Sequence, residues 1–322
     1  MTPLRFGIAG YGRFADRWAK PTIDAAPYAR LHAVQVRPSS DIRPIEGLKV
    51  YRSIEALVAD PEIDAVYVTS ANGSHASDTI AALRAGKHVL VEKPMSTRIA
   101  DAAAMLAEAR RAQLVLHVGH MLRHSRALQH ARRLVRTGAI GKVRLASAIF
   151  AYNMAGTGRS WAANPAVAGG GALIDAGIHA IDATRFVTGQ AVTKVDAVCV
   201  PQRPQAEANV TVSLELDGGA TAAIAVSSDA DYLTELLVAG TEGRVSIPSF
   251  ARCRGTVTVH LETPHRSEAT DLNVADTYIR QMQTFCRAVA ARSRSLASAQ
   301  NGIENLRIVE ASYTASGLGE GS

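Results

Sequence analysis

Cysteine is scarce in this chain, with three residues in 322, and Cys199, Cys253 and Cys286 stand far apart. Without a C-x-x-C pair or a Cys-His spacing, neither a disulfide framework nor a zinc cluster is indicated, and a reducing compartment fits. Aromatic residues are few, at 5%, and the basic residues are dispersed, with Arg110-Arg111 and Arg132-Arg133 as the densest pairs. A formal charge of +6 with no polybasic run and no stacking platform argues against nucleic acid and would equally suit a small anionic ligand. No apolar run approaches membrane-spanning length, and Met1-Thr2-Pro3-Leu4-Arg5 passes into a strand without a signal-like apolar core. A cytoplasmic protein with no membrane partner is therefore expected. What is present is ordinary globular material, 47% apolar and 20% charged, in a length that implies two domains.

The first part of the chain alternates strand and helix. Leu4–Ala9 reads as a buried strand and enters Gly10-Tyr11-Gly12-Arg13-Phe14-Ala15, a G-x-G-x-x-A turn that opens a helix containing Trp18. In that order the pattern is a dinucleotide fingerprint. Gly10 permits the tight turn, Gly12 lets the backbone approach a pyrophosphate, Ala15 allows close packing, and the helix start offers N–H groups. The second strand, residues 31–36, lacks the terminal acid that would accept hydrogen bonds from a ribose 2'-hydroxyl. It ends in Val36-Arg37-Pro38-Ser39-Ser40, a guanidinium and two hydroxyls suited to a 2'-phosphate, with Asp41 reaching the ribose as the competing reading.

Residues 64–69, 88–91 and 114–118 read as further strands, with helices at 74–85 and 97–112, a rhythm that implies a parallel, doubly wound sheet. Thr69-Ser70-Ala71-Asn72-Gly73-Ser74-His75 is rich in side chains that bond ribose and phosphate, although Gly73 and Ser74 also suit a turn and a helix cap. His88-Val89-Leu90-Val91-Glu92-Lys93-Pro94 is an apolar strand that ends on a carboxylate and an ammonium before a proline. Ligands of such sheets bind outside the carboxyl ends of the strands, so Lys93 faces the site, with its backbone restricted by Pro94. The histidine run from His117 to His124 has no carboxylate or cysteine to complete a metal set, so no metal is expected. His120, at a strand end, is a candidate substrate contact.

Beyond residues 138–141 the periodicity changes. Residues 143–152, 192–200, 210–216, 220–227 and 233–239 read as strands, and 210–216 alternates before Asp217-Gly218-Gly219, the mark of an antiparallel hairpin. The second domain is expected to be α+β, with helices backing an antiparallel sheet. Within it, Gly169-Gly170-Gly171 opens a helix on which Asp175 and His179 share a face, one turn apart, and Asp182 extends the polar stripe. Charge on so apolar a helix needs a partner or a task, and a task is the favoured reading.

These stretches together resemble the glucose-fructose oxidoreductase and inositol dehydrogenase (Gfo/Idh/MocA) family over the whole chain. The markers are the N-terminal glycine turn, Asn72 to His75, Ala85-Gly86-Lys87 running into the Glu92-Lys93-Pro94 strand, Gly169 to His179, and Gly240-Thr241-Glu242-Gly243. The resemblance implies an α/β protein. Its N-terminal Rossmann domain, a doubly wound parallel sheet, would span residues 1–122, with a C-terminal helix at 300–318 packing back on it through Ile303, Leu306, Ile308 and Val309. An α+β domain on an open antiparallel sheet would span 123–299, bind substrate and form a homodimer or homotetramer. In the resemblance, Lys93, Asp175 and His179 fall on the catalytic residues. Gly10, Gly12, Arg13, Phe14, Arg37, Ser39, Ser40, Thr69, Asn72, His75, Glu92 and Lys93 are expected to hold the cofactor, and His120, Tyr152, Asn153 and Tyr232 to meet the substrate. The chain departs from the family in Ser70-Ala71, where Thr-Pro is common, and in the missing acid after the second strand.

The activity so implied is hydride transfer between NADP, or less readily NAD, and a secondary alcohol or ketone of a sugar or cyclitol. Such chemistry needs a proton carrier and a stabiliser of charge on oxygen, roles that suit His179 and Lys93. Reduction of nucleotide-linked sugars, and cofactor sensing without turnover, are the alternatives.

Overall fold

Short apolar runs bounded by turn residues become fully buried strands when helices cover both faces of a sheet. The computed structural model describes residues 2–37, 47–157, 164–203, 206–291 and 298–318. Six runs form a parallel sheet: β1 (Leu4–Ala9), β2 (Ala29–Gln35), β3 (Lys49–Tyr51), β4 (Ala65–Val68), β5 (His88–Val91) and β6 (Leu116–Val118). Their order is β3-β2-β1-β4-β5-β6, the doubly wound arrangement that the alternation predicts. The connecting helices are α1 (Lys20–Ala25), α2 (Ile54–Val58), α3 (His75–Arg84) and α4 (Ile99–Arg111). Because β1 pairs with β4 and β4 with β5, the segments that follow these three strands emerge side by side at one edge of the sheet.

The chain divides into two compact units, Met1–Met121 with Tyr278–Ile303, and Leu122–Thr277 with Glu304–Ser322. The second is built on an eight-stranded sheet, β14-β13-β12-β11-β7-β10-β9-β8. Its strands are β7 (Val143–Asn153), β8 (Val192–Arg203), β9 (Ala206–Leu216), β10 (Thr221–Ser227), β11 (Asp229–Gly240), β12 (Arg244–Pro248), β13 (Thr256–Thr263) and β14 (Arg266–Asn273). The expected hairpin joins β9 to β10, with Glu215 opposite Thr221. Two features correct the sequence reading. The sheet is mixed, since β7 and β10 pair in parallel, and it continues through β12, β13 and β14. β14 is a mostly polar edge strand and so carries almost no hydrophobic signal. Helices α5 (Arg126–Arg136), α6 (Pro165–Ala168) and α7 (Ile178–Thr188) complete the described part of this unit before the chain returns, and α7 packs on β7. Among the described residues, no helix is long and apolar enough to cross a membrane.

The segment that returns to the first unit is Tyr278–Ile303, not residues 300–318. Most of it is α8 (Thr277–Ala291), which spaces Met282, Phe285 and Cys286 three and four residues apart and buries them in the core of Phe6, Ile8 and Val34. The Phe285 ring lies 5.8 Å from Phe6 and 5.3 Å from His117. From Glu304 onward, α9 (Ala299–Ala315) belongs to the second unit, and its polar side chains explain why. Asn305 donates to Asp182 at 2.7 Å and accepts from Arg185 at 2.5 Å. Asp182, only 1% exposed, also receives Nε and Nη2 of Arg123 at 2.8–3.0 Å. The stripe on α7 therefore ends in a structural ion pair, and Asp182 has a partner where the sequence suggested a task.

Removing one member of a buried pair strands the other charge. Arg123→Met should cost about 3 kcal/mol or more of stability, and adding Asp182→Leu should recover most of that loss. Urea denaturation of the two variants tests this. A single variant as stable as the parent would mean that Asn305 alone satisfies the carboxylate.

Candidate active site

The turn after β1 is shaped from two sides. Gly10 adopts a φ of +81°, and a Cβ there would run into the Ser70 backbone, so both the turn and the close approach of the β4 tip require glycine. From the other side, the Gln35 side chain accepts the Gly10 N–H at 2.8 Å. Gly12 differs, because a Cβ there would meet no protein atom nearer than the Gly10 carbonyl at 4.0 Å. Packing does not demand this glycine. What it leaves clear is space before a helical segment that opens with a π-helical turn, Ala15–Ala19, and continues as α1. Clearance beside a helix start fits the pyrophosphate of a dinucleotide. Arg13 and Phe14 lie within this turn, with the Phe14 ring 6.4 Å from Tyr278. Arg37 is exposed beyond the end of β2, and Ser39, Ser40 and Asp41 lie outside the described residues.

The tips of β4 and β5 are bound to the turn and to each other. The Thr69 hydroxyl lies 3.2 Å from the Ala9 carbonyl and 3.1 Å from that of Gly10. Asn72 is buried at the start of the next helical turn. His75 sets Nδ1 2.7 Å from the Pro94 carbonyl and Nε2 2.9 Å from the Ser70 carbonyl. With both ring nitrogens on backbone oxygens, His75 braces the loop carrying Lys93 and does not offer a nitrogen to a cofactor as expected. Burial lowers its pKa, against the opposing pull of the two carbonyls.

Glu92 is buried beneath the same loop and accepts the Tyr67 hydroxyl at 2.6 Å. Gly119, after β6, makes room for it, since a Cβ there would lie 2.8 Å from Oε1. Burial pushes the Glu92 carboxyl up to about 6, with the Tyr67 hydrogen bond and the Lys93 charge pulling the other way. Lys93 follows, half-buried, at the carboxyl end of β5, and His120 is buried just beyond β6. Sequence reasoning missed Gln35 and Tyr67. The signal for Tyr67 was a lone hydroxyl in the otherwise apolar run Ala65–Val68.

In the second unit, the three-glycine stretch admits a cap. A Cβ on Gly170, whose φ is +142°, would strike the Tyr313 hydroxyl, and one on Gly171 would strike Glu207. The Glu207 carboxylate, 4% exposed, accepts the N–H groups of Gly171 and Leu173 at 2.9 Å each and the Tyr313 hydroxyl at 2.8 Å. Burial raises its pKa, against these hydrogen bonds. The capped helix is not α-helical throughout, as the spacing of Asp175 and His179 assumed. It begins as a π-helical turn, Leu173–Gly177, and then becomes α7.

Tyr152 donates to Asp175 Oδ2 at 2.6 Å, while the His179 ring stacks on Phe150 with centroids 5.9 Å apart and planes at 20°. Tyr232, largely exposed, sits edge-on to the same Phe150 ring at 6.5 Å. Asp175, His179, Tyr152 and Tyr232 thus gather around Phe150, a residue the sequence reading left out. Asn153 does not join them. Adjacent strand residues face opposite sides, and its side chain accepts the Ala155 N–H at 3.0 Å.

Elsewhere in the first unit, His32, Asp60 and Glu62 bring ligand atoms within 4.8 Å of one another. The Lys49 ammonium lies 3.1 Å from Asp60 and 2.5 Å from Glu62, so this grouping already has its cation.

Known proteins match both units. Residues 4–120 match the model of the oxidoreductase family with an NAD-binding Rossmann fold, and residues 128–246 match the GFO/IDH/MocA C-terminal domain. The chain is 28% identical over 311 residues to 1,5-anhydro-D-fructose reductase of Ensifer adhaerens, covering 94% of this chain and 93% of that protein. Among solved structures it is similar to the aldose-aldose oxidoreductase of Caulobacter crescentus complexed with glycerol, with a TM-score of 0.88 and 28% identity over 98% and 97% of the two chains. It is also similar to a variant of a 3-ketoreductase from Actinomadura kijaniata in complex with TDP-benzene and NADP, with a TM-score of 0.87 and 26% identity over 98% of each.

The environment of Glu92 makes a stability prediction. Its folded pKa of about 6 exceeds the ordinary 4.5, so its ionisation destabilises the fold as pH rises through that interval. Glu92→Gln retains an acceptor for Tyr67 without the charge. At pH 8 the variant should be more stable than the parent by about 2 kcal/mol, an advantage that shrinks toward the acid end of the interval. Urea melts without added cofactor at pH 5 and pH 8 check this, and equal stability at pH 8 would mean that the ionised carboxylate costs the fold nothing.

Proposed function

The chain belongs to the Gfo/Idh/MocA oxidoreductase family, and from that premise we propose that it transfers a hydride between NADP and a secondary alcohol or ketone of a sugar or cyclitol. The observation that carries this reading is the side-by-side emergence of the glycine turn, Thr69 and Glu92-Lys93 from β1, β4 and β5. Doubly wound sheets bind nucleotides at such an edge.

In this reading the first unit binds the cofactor and the second binds substrate, in line with domains at 1–122 and 123–299. Gly12 and the helix start receive the pyrophosphate, with Arg13, Phe14, Thr69, Asn72 and Glu92 around the nucleotide. Arg37 serves the 2'-phosphate, and NADP is preferred because no acid follows β2 to repel it. The NADP in the Actinomadura kijaniata ketoreductase structure supports this preference. The bound nicotinamide supplies or accepts the hydride.

The chain's own residues handle charge and protons. The Lys93 ammonium stabilises negative charge on the reacting substrate oxygen. His179 exchanges the proton at that oxygen, the task for which an imidazole is best matched near neutral pH. Asp175, held by Tyr152, orients the imidazole or a neighbouring hydroxyl, and His120 and Tyr232 contact substrate. A sensor without turnover would have no use for Lys93, Asp175 and His179 together. Within the enzyme reading, a nucleotide-linked sugar is the second candidate, favoured by the TDP-benzene complex of the ketoreductase relative.

The open face of the second sheet is the proposed seat of a homodimer or homotetramer. It leaves Leu145, Val198, Val200 and Leu233 between 45% and 67% exposed. The scarcity of cysteine suits a cytoplasmic setting.

NADPH oxidation against a panel of ketoses and inososes tests the function. Lys93→Met should lower kcat by about 10² to 10³ while NADPH binding survives, and His179→Ala should slow both directions by about 10² to 10⁴. A Lys93→Met enzyme with the parental kcat would remove the lysine from the chemistry. NADPH binding without turnover of any compound would favour the sensor.

A further inference from the structure

The edge of the first sheet holds a second cation beside Arg37. β3 runs parallel to β2 with Tyr51 opposite Gln35, and the Val36 N–H donates to the Tyr51 carbonyl at 3.0 Å. The residue after Tyr51 therefore leaves β3 at the same edge where Arg37 follows β2. That residue is Arg52, exposed, with Nη1 3.4 Å from the Arg37 carbonyl. The bond is long and sets direction more than it adds energy. The backbone on either side is fixed, by the ladder at Tyr51 and by Ser53, whose hydroxyl accepts the Ala56 N–H at 3.2 Å as the cap of α2.

In this fold class the carboxyl end of β2 is where the adenine ribose is read. A 2'-phosphate carries close to two negative charges at neutral pH and three acceptor oxygens. Arg37 alone matches half of that charge. A guanidinium has five N–H donors in a planar fork, enough to hold a neighbouring carbonyl and a phosphate together.

We propose that Arg52 joins Arg37 in a two-guanidinium clamp on the 2'-phosphate of NADP(H) and is a determinant of the preference for that cofactor. This inference rests on the reading that the chain uses NADP(H). It assigns to β3, the shortest outer strand of the sheet, a part in cofactor choice, through a residue that carries no nucleotide motif.

The test is fluorescence titration of NADPH and NADH into the parent, Arg52→Gln, Arg52→Lys and Arg37→Ala, with adenosine 2',5'-bisphosphate and 5'-AMP as competitors. Arg52→Gln should raise the Kd for NADPH and for the bisphosphate by about tenfold or more, leaving NADH and 5'-AMP within about twofold. Arg52→Lys, which keeps the charge but loses the fork, should fall between parent and Arg52→Gln. Its folding with the parental melting temperature guards against trivial loss. If the parent prefers NADPH and Arg52→Gln keeps that preference, the clamp is refuted while the NADP reading stands. If the parent binds NADH as well as NADPH, both fall. Equal weakening of the two cofactors would show that Arg52 only holds the β2–β3 edge, which also refutes the clamp.

Discussion

A carboxylate removed from water is tolerated only where donors or cations enclose it, and three such groups anchor the segments on which the candidate site depends. Glu92 lies beneath the loop of Lys93, under the Tyr67 hydroxyl. Asp182 ties α7 to Arg123 and Asn305. Glu207 caps the helix that carries Asp175 and His179. Two of the three come with a glycine that vacates space for the carboxyl group, Gly119 for Glu92 and Gly171 for Glu207. Those glycines have a reason internal to the protein. Gly12 has none, and that contrast is what points its clearance toward a ligand.

Such anchoring holds functional side chains on rigid elements and carries a cost. Burial holds the carboxyl groups of Glu92 and Glu207 above their ordinary range, so each resists ionisation in the fold. A fold selected for stability alone would replace such groups with apolar ones of similar volume. Their retention beside Lys93 and ahead of Asp175 is consistent with geometry being held at the expense of stability. The same holds for His75, whose two nitrogens are committed to the Ser70 and Pro94 carbonyls and so fix the β5 tip from the α3 side.

The parallel sheet and the hairpin of the second unit were legible because apolar runs and turn residues report local structure. β3, three residues long, and β14, polar and at an edge, offer too little pattern to read. Periodicity finds the face on which Asp175, His179 and Asp182 lie, but it cannot say what stands opposite. The partners of Asp182 are Arg123 and Asn305, 59 and 123 residues away in sequence. Glu207 reaches Leu173 across 34 residues, and no local signal marks it. Asn153 is a different case, because strand alternation alone separates it from Tyr152, and the resemblance that grouped them disregards this rule. The returning segment was misplaced for a similar reason. α8 and α9 both show apolar spacing, and only the buried partners of Asn305 and Tyr313 decide that the later part of α9 belongs with the second unit.

The π-helical turn at Leu173–Gly177 follows from the same anchors. At its beginning, Glu207 fixes the N–H groups of Gly171 and Leu173, and at its far end Arg123 and Asn305 fix Asp182. A segment held at both ends cannot choose its own phase. Each residue of an α-helix turns the chain by about 100°, so a mismatch between the two anchors must be absorbed between them, and a π turn does so with one additional residue. Asp175 lies within that turn and His179 just beyond it. The direction in which Asp175 meets the Tyr152 hydroxyl, while His179 lies flat on Phe150, is thus set by where two buried carboxylates are held and not by an unbroken helical repeat.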